Sequence, residues 1–387
     1  MEVETLEQFV PELFQVANAK HLQSEQAIEL IKQNSGIIPV AIAAEYRVIW
    51  LDVGDYPYKE WKFRYATRNL IKQRGLGNCF TTDIQLLARK ELTLGDHQDP
   101  AGFVFHMSKC GSTLVAKVLD QPDTQMIIKE PTPLHENLWQ YLTNNWQNPV
   151  APTEDNLRLI QNLIQILGRS RQPNQKSYFV RFRSWNIAFV EIIQQAFPDT
   201  PCLFIYRDPV KVMASILNKP TTGLPRLNES DAAAFITKRS RKELTQMDAL
   251  HYFTSFYKQY LYLGLNKMKN THYLNYRLLN KQNIDQILRT AYNYSATKTD
   301  LPTMQAQFDT YSKDDTSTVR FVSDRKEKKK QVTPAMREAA EEHLMTLYQM
   351  LEESDQNLNK VLSLDTNKSL IKEEYIATRR AMNGAKA

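Results

Sequence analysis

Hydrophobic residues along this chain follow two spacings, one typical of buried strands and one typical of amphipathic helices. Short apolar runs rich in strand-forming residues alternate with segments in which apolar residues recur every three or four positions. The predicted strands are Phe103–Phe105, Met126–Ile128, Ser177–Phe182 and Pro201–Tyr206, and the predicted helices are Leu114–Leu119, Thr153–Leu167, Ile187–Phe197 and Val210–Leu217. Because strands and helices alternate, the pattern predicts an α/β fold with a mainly parallel central sheet and helices on both faces.

The same pattern predicts mainly helical additions at both ends of this unit. The further predicted elements are helices within residues 1–34, a strand and turn over Ile37–Leu51, helices over Ala232–Lys267, Asp285–Tyr292 and Pro334–Glu352, and a strand over His272–Tyr276. Residues 294–320 are polar and are predicted to form a loop long enough to cover a site. Gly95 and Pro100 mark the entry to the main unit. We therefore predict an accessory region at 1–98, the α/β domain at 99–352 and a polar tail at 353–387.

Charge gives little reason to expect nucleic acid as a partner. The 387 residues include 49 Lys and Arg against 43 Asp and Glu, a net charge of +6 that suits an anionic small ligand equally well. The segment Tyr56–Tyr65, YPYKEWKFRY, interleaves aromatic and basic residues, a pattern that can stack on bases. The simpler interpretation, which we favour, is that its rings pack on the core and its charges face water.

Cysteine usage and the absence of long apolar runs predict a cytoplasmic protein without a membrane span. The three cysteines Cys79, Cys110 and Cys202 are far apart, and no Cys/His spacing indicates a metal site or a disulfide framework. The N-terminus lacks the basic start and apolar block of a signal peptide. The longest apolar stretch, Ile37–Ala44, has eight residues and contains a proline.

The first stretch that indicates chemistry joins the first predicted strand to its helix. In AGFVFHMSKCGSTLVAKVLD (residues 101–120), a turn of small residues follows the strand, the layout of a phosphate-binding loop. Backbone N–H groups at a helix start have no helical partner, and the helix dipole is positive there. The residues that would contact a phosphate are Lys109, Cys110, Gly111, Ser112 and Thr113.

This loop is not the Walker A loop of nucleoside triphosphatases. In Walker A the lysine directly follows the second glycine, whereas Ser112 follows Gly111 here and Lys109 precedes it by two positions. The order K-x-G-[ST]-T resembles the 5′-phosphosulfate loop of sulfotransferases that use 3′-phosphoadenosine 5′-phosphosulfate (PAPS). The alternative is an ordinary tight turn after a strand.

A second stretch, from Tyr206 to Ser215, resembles the 3′-phosphate motif of the same family. In that motif R-[DN]-P follows a strand and a serine lies eight residues after the arginine, as Ser215 does after Arg207. Pro209 can begin a helix, and Ser215 then lies about two turns along it. The resemblance implies that Arg207 and Ser215 bind the 3′-phosphate. The alternative is that Arg207 and Asp208 form a structural pair at a strand end.

Together the two motifs resemble the PAPS-dependent sulfotransferase family, which has a three-layer α/β/α fold of the P-loop type. The resemblance covers residues 103–217 and extends weakly over 321–351, where it implies a contact from Lys328 with the 3′-phosphate, although the family's glycine-rich sequence is missing there. It implies transfer of a sulfuryl group from PAPS, without a metal, to a hydroxyl or amine of a small molecule, glycan or peptide. Residues 1–98 match no pattern of that family.

The transfer also requires a proton acceptor, and Glu130 is the first candidate. Lys109, Glu130 and Arg207 each follow a predicted strand, so a parallel sheet would bring them to one edge. His135, five residues after Glu130, is the rival base, and His106 is expected to point into the fold. The alternative for Glu130 is a surface glutamate in a turn.

Two other functions use the same fold. A P-loop kinase or nucleoside triphosphatase would share the sheet, but the chain lacks the Gly-Lys pair at the loop. A non-catalytic nucleotide-binding protein would keep both phosphate motifs and need no base.

Overall fold

The computed structural model describes residues 6–92, 98–218, 230–314, 316, 318–321 and 331–362. The first elements are α1 (Leu6–Phe9), α2 (Pro11–Ala19), α3 (Ser24–Gln33), β1 (Ile37–Ile42), β2 (Arg47–Asp52), α4 (Phe63–Arg74) and β3 (Cys79–Asp83). The three strands form an antiparallel sheet in the order β1–β2–β3, with helices before and between them.

The central sheet has five strands, all parallel, which confirms the predicted three-layer α/β/α fold. Its strands are β4 (Gly102–His106), β5 (Gln125–Lys129), β6 (Ser177–Arg181), β7 (Cys202–Tyr206) and β8 (Thr271–Asn275), in the order β5–β6–β4–β7–β8. The helices are α5 (Ser112–Leu119), α6 (Glu136–Leu142), α7 (Glu154–Leu167), α8 (Val190–Ala196), α9 (Pro209–Asn218), α10 (Asp231–Thr237), α11 (Arg241–Gln246), α12 (Ala249–Asn266), α13 (Ile284–Tyr292), α14 (Asp300–Ala306), α15 (Pro334–His343) and α16 (Met345–Glu353).

Both faces of this sheet are covered, which is why its strands read as continuous apolar runs. On one face Phe103 packs edge-on against Phe197 at the end of α8. On the same face Gly264 of α12 lies against the ring of Phe204, where a Cβ would come within 2.7 Å of the ring. On the other face the ring of Tyr292 in α13 crosses Gly102. The four aromatic residues are part of the buried hydrophobic core, and both glycines are buried beside them.

The strand order creates a crevice between β4 and β7. These two strands are neighbours, with His106 paired to Ile205, yet the chain leaves β4 toward β5 and leaves β7 toward β8 on opposite sides. Loops that diverge in this way open a crevice at the carboxyl ends of the strands, where α/β proteins bind ligands. The loops that carry Lys109 and Arg207 border that crevice.

The structure differs from the predicted elements in several places: helices α4 and α6 were not predicted, and three further differences have a physical reason. Strand β3, which the pattern did not predict, is short and polar, but Thr82 accepts a hydrogen bond of 2.8 Å from the buried indole of Trp50. The predicted helix Pro334–Glu352 is divided at Leu344, whose side chain is fully buried and whose backbone is not helical. The predicted loop 294–320 contains α14, because Met304 is buried against the core.

A buried lysine fastens the N-terminal segment to the parallel sheet. Lys129, the last residue of β5, has a side chain only 4% exposed and donates to the carbonyls of Tyr58, Lys59 and Glu60 at 2.9–3.3 Å. Its ammonium also lies 2.6 Å from the carboxylate of Asp120. Because buried carbonyls and carboxylates are costly to leave unpaired, this one side chain fixes the course of residues 58–60.

Lys129→Met is therefore expected to lower the free energy of unfolding by about 3–5 kcal/mol, the usual effect of removing one partner of a buried ion pair. Urea unfolding followed by circular dichroism measures the change. The control is Lys267→Met, which removes a half-exposed lysine from its pair with Glu191 and is expected to cost under about 1 kcal/mol. If both variants unfold with the same free energy, Lys129 does not hold the segment. Adding Asp120→Leu should recover part of the loss.

Candidate functional site

The loop after β4 adopts a backbone conformation that its surroundings must hold in place. Ser108, Lys109 and Gly111 have φ angles of 73°, 49° and 87°, a region that is costly for residues with a Cβ and that is often found at functional sites. Nδ1 of the buried His106 accepts a bond of 3.0 Å from the Ser108 N–H, and its Nε2 lies 3.1 Å from the Phe182 carbonyl. Burial lowers the pKa of His106 to about 4, so the ring is neutral and Nε2 donates. His106 thus points into the fold, as expected, and shapes the loop.

Glycine is required at position 111 for two reasons. Its φ is positive, and a Cβ there would lie 2.8 Å from the side chains of Tyr276 and Leu279. Gly111 also precedes the first turn of α5, whose N–H groups have no partner within the helix. The loop therefore ends at a helix start whose backbone N–H groups are not used within the helix, and its binding of a phosphate stays a prediction.

The side chains of the loop have unequal access to a ligand. Lys109 is partly exposed, whereas the Cys110 thiol is buried and donates to the Ile205 carbonyl at 3.2 Å. Burial raises the pKa of Cys110 to about 12, so only its backbone can serve a ligand. Ser112 is buried at the helix start, and the Thr113 hydroxyl accepts a bond of 2.9 Å from Arg181.

Arg207 reaches across the crevice to this loop. Its Nη1 donates to the Lys109 carbonyl at 2.9 Å, and its guanidinium lies 4.8 Å from the Tyr276 ring centroid. Its Nε is buried and has no hydrogen-bond partner among the residues that the structure describes. The Asp208 carboxylate caps α9 by accepting from the Val210 N–H at 3.0 Å, and Ser215 is buried on that helix. The aspartate therefore begins the helix, and the guanidinium lies beside the phosphate loop.

Glu130 lies among three cations at the end of β5. Its carboxylate is 2.8 Å from Arg181 Nη2, 3.0 Å from Lys62 Nζ and 3.8 Å from Arg183 Nε. Burial would raise the pKa of Glu130, but Lys62, Arg181 and Arg183 together hold it well below its usual range. Its φ of 54° is again positive. Glu130 is thus an ionised carboxylate whose side chain is only 12% exposed.

Arg181 connects this carboxylate to the phosphate loop. The guanidinium is fully buried and bonds the Thr113 hydroxyl through Nη1 and Glu130 through Nη2. Thr113 and Glu130 are therefore two partners of one rigid, planar group, and the sheet edge brings both to the same place.

His135 lies in the same electrostatic environment. Burial and then the charge of Arg183 lower its pKa well below the usual range, with Lys62 and Arg64 adding to the effect while Glu130 opposes it. The ring is neutral at pH 7, and its Nε2 is buried without a partner in the protein. His135 thus also has a ring nitrogen able to exchange a proton.

Sequence reasoning missed Lys62, Arg181 and Arg183. Arg181 is the last residue of β6. Because the carboxyl ends of parallel strands meet at one edge of the sheet, its position could have been predicted in the same way as that of Glu130. Lys62 had no such signal because it lies in another part of the chain. The rings of Tyr56 and Tyr58 are buried, as predicted, but the Lys62 side chain is only 16% exposed and does not face water.

Part of the predicted loop 294–320 lies beside the site. The ammonium of Lys117 in α5 donates to the Asp314 carbonyl at 3.0 Å. Lys313 lies 5.4 Å from the centroid of the Trp61 ring. Lys328, the further residue expected at the 3′-phosphate, lies outside the described residues.

Several further features of the described part of the chain bear on function. No group of three or more His, Cys, Asp or Glu side chains there could hold a metal ion, and no helix there is long and apolar enough to cross a membrane. All three cysteines are buried and free. A cavity of about 640 Å³ lies away from the crevice, among α8, α12 and α16, and its lining includes Ile192, Tyr262 and Leu347 but none of the site residues above.

Comparisons with known proteins find a likeness among solved structures. No family model and no curated protein matches the chain. Among solved structures, the crystal structure of sulfotransferase STF9 from Mycobacterium avium is similar over 65% of this chain and 77% of that chain, with 13% sequence identity and a TM-score of 0.36. A likeness of this size says nothing about activity.

Proposed function

We propose that this chain is a PAPS-dependent sulfotransferase that transfers a sulfuryl group to a hydroxyl or amine acceptor. The observation that carries the proposal is the Arg181 guanidinium, which touches both the helix that follows the phosphate loop, at Thr113, and the carboxylate of Glu130. A proton acceptor directly beside a phosphate-binding loop is what sulfuryl transfer needs.

In this proposal the crevice between β4 and β7 binds the donor nucleotide. The N–H groups from Lys109 to Thr113 bind the 5′-phosphate, and the Lys109 ammonium contacts the bridging oxygen. Arg207 and Ser215 bind the 3′-phosphate. The buried Nε of Arg207, which has no partner in the protein, fits an anionic group there, since a planar guanidinium can donate two bonds to a phosphate.

The acceptor then reacts on the side of Glu130. Its oxygen forms a bond to sulfur while the bond from sulfur to the 5′-phosphate oxygen breaks, and adenosine 3′,5′-bisphosphate leaves. Glu130 takes the acceptor proton, and Lys109 stabilises the negative charge on the departing oxygen. Lys62 and Arg181 keep the Glu130 carboxylate ionised and oriented. His135 is the alternative base, because its Nε2 is also available.

The order of residues in the loop argues against the kinase alternative. Walker A enzymes use a P-loop Ser/Thr and an acidic partner to hold Mg²⁺, and the proposed site needs no metal because Lys109 and Arg207 supply the positive charge. A non-catalytic nucleotide-binding protein would not need an ionised carboxylate next to the loop.

Calorimetry with adenosine 3′,5′-bisphosphate, AMP and ATP tests the proposal. We expect the bisphosphate to bind at least about tenfold more tightly than AMP, because only the bisphosphate has a 3′-phosphate for Arg207 and Ser215. Transfer of labelled sulfuryl from PAPS should continue in EDTA. Tightest binding of ATP, with activity that EDTA abolishes and Mg²⁺ restores, would instead favour the kinase. Binding of the bisphosphate without transfer to any of a broad panel of hydroxyl acceptors would favour the non-catalytic protein.

A further inference from the structure

The surroundings of Glu130 carry far more positive than negative charge. Three cations, Lys62, Arg181 and Arg183, lie within 3.8 Å of this one carboxylate. Two more arginines, Arg64 and Arg68, follow Lys62 on α4. The single charge of Glu130 cannot neutralise its three ion-pair partners, and it forms no ion pair with Arg64 or Arg68.

The other acids of the neighbouring segments are engaged elsewhere. The Glu60 carboxylate accepts bonds from the Tyr56 hydroxyl at 2.5 Å and the Asn69 amide at 3.0 Å. The Asp120 carboxylate is paired with Lys129 and Lys59. Neither of these acids therefore offsets the charge around Glu130.

Arg64 and Arg68 are arranged to bind an anion. They lie one helical turn apart on α4, with their guanidinium carbons 4.5 and 4.1 Å from the centroid of the Phe9 ring. Arg64 Nη2 donates to the Tyr65 hydroxyl at 3.4 Å, and the Nε of each arginine is buried without a hydrogen-bond partner among the described residues. Because the ring supports both planar groups, their remaining N–H edges can donate to a carboxylate, sulfate or phosphate.

The position of these arginines separates them from the donor site. Arg181 contacts Thr113 on the helix after the loop. Arg64 instead lies two residues after Lys62, whose ammonium is 3.0 Å from the Glu130 carboxylate, and its charge helps to lower the pKa of His135. We propose, on the basis of the proposed function, that the acceptor itself carries an anionic group and that Arg64 and Arg68 bind it. The reacting hydroxyl is then oriented toward Glu130, and the acceptor class is a hydroxyl compound with a nearby carboxylate, sulfate or phosphate.

Two matched pairs of probes test the charge requirement. The sugar pair is methyl β-glucuronide and its primary amide, methyl β-glucuronamide, and the phenol pair is 4-hydroxyphenylacetate and 4-hydroxyphenylacetamide. Within each pair the two compounds share their reactive hydroxyl groups, and only one carries a carboxylate. Binding is measured by saturation-transfer NMR titration with and without adenosine 3′,5′-bisphosphate, and transfer is measured with labelled PAPS. We expect the anionic member of at least one pair to be favoured about tenfold or more, the effect of one charged hydrogen bond.

Variants of α4 assign the preference to the two arginines. Arg64→Gln with Arg68→Gln should remove the preference for the anion while the affinity for adenosine 3′,5′-bisphosphate stays within about twofold. Each single variant should remove part of it, and thermal melts check that all variants are folded. The control Arg74→Gln lies on the same helix but pairs with Asp55 at 2.7 Å, and it should keep the full preference.

The outcomes separate this proposal from the proposed function. If adenosine 3′,5′-bisphosphate binds and neither pair shows a preference for the anion, or the preference survives in the double variant, the anionic acceptor is excluded and the sulfotransferase proposal stands. If the bisphosphate does not bind, the proposed function fails. Binding of the probes without nucleotide then decides whether Arg64 and Arg68 form an anion site.

Discussion

Glu130→Gln is expected to lower kcat for sulfuryl transfer by about 10²–10⁴-fold, the usual contribution of a general base. The substitution keeps the shape of the side chain and its ability to accept a bond from Arg181, but an amide cannot take the acceptor proton. Single-turnover assays with labelled PAPS measure the chemical step directly. The affinity for adenosine 3′,5′-bisphosphate should stay nearly unchanged, because Glu130 does not belong to the donor site.

The matched variant is His135→Ala. If Glu130 is the base, loss of the imidazole should lower kcat by less than loss of the carboxylate. Full turnover in Glu130→Gln together with loss of activity in His135→Ala would transfer the role to His135. Glu130→Gln also leaves Lys62, Arg181 and Arg183 without their carboxylate partner, so its melting temperature must be compared with that of the wild type before the kinetics are interpreted.

The pH profile of the wild-type enzyme gives a second measurement of the same base. The cations around Glu130 hold its pKa well below 4.5, so the carboxylate stays deprotonated as the pH falls through that value. A base must be deprotonated to act, so kcat should show no acid limb between about pH 5 and 8. The pKa of His135 is also lowered well below 6.5, so this residue would give no acid limb near that pH either. An acid limb near pH 6.5 would therefore indicate that the base is neither Glu130 nor His135 but a histidine with an ordinary pKa.

Arg207→Ala is expected to weaken the binding of adenosine 3′,5′-bisphosphate by tens to a few hundredfold. Hydrogen bonds to a charged group contribute about 1.5–3 kcal/mol, and Arg207 has a buried Nε that a 3′-phosphate would satisfy. AMP lacks that phosphate, so its affinity should change much less. Calorimetry with both nucleotides measures the difference.

Two further variants test how Arg207 acts. Arg207→Lys keeps the charge but loses the planar guanidinium, so its affinity should lie between those of the wild type and the alanine variant. Lys211→Ala, on the helix that follows Arg207 and 62% exposed, should bind as the wild type does. If the wild-type chain binds adenosine 3′,5′-bisphosphate and AMP equally well, Arg207 has no role at a 3′-phosphate.

The sequence by itself determined the parallel sheet and the approximate positions of its strands. Apolar runs such as Ser177–Phe182 and Pro201–Tyr206 are buried on both faces, so their composition alone distinguishes them from the amphipathic helices between them. The turn chemistry of Gly111 and the helix start at Pro209 are local properties and could also be read from the sequence. The positions of Lys109, Glu130 and Arg207 after predicted strands could also be read from the sequence.

Only the tertiary structure decided which side chains surround Glu130. Lys62 reaches the site because Lys129 holds the segment of residues 58–60 on the sheet edge, a contact between parts of the chain about 70 residues apart. Arg181 joins Thr113 to Glu130 because the order β5–β6–β4 places its strand, β6, between the strand that precedes Glu130 and the strand that precedes the loop and Thr113. Such pairings depend on which strands become neighbours and on which charged side chains pair when they are buried together. The spacing of residues along the chain does not determine either of these.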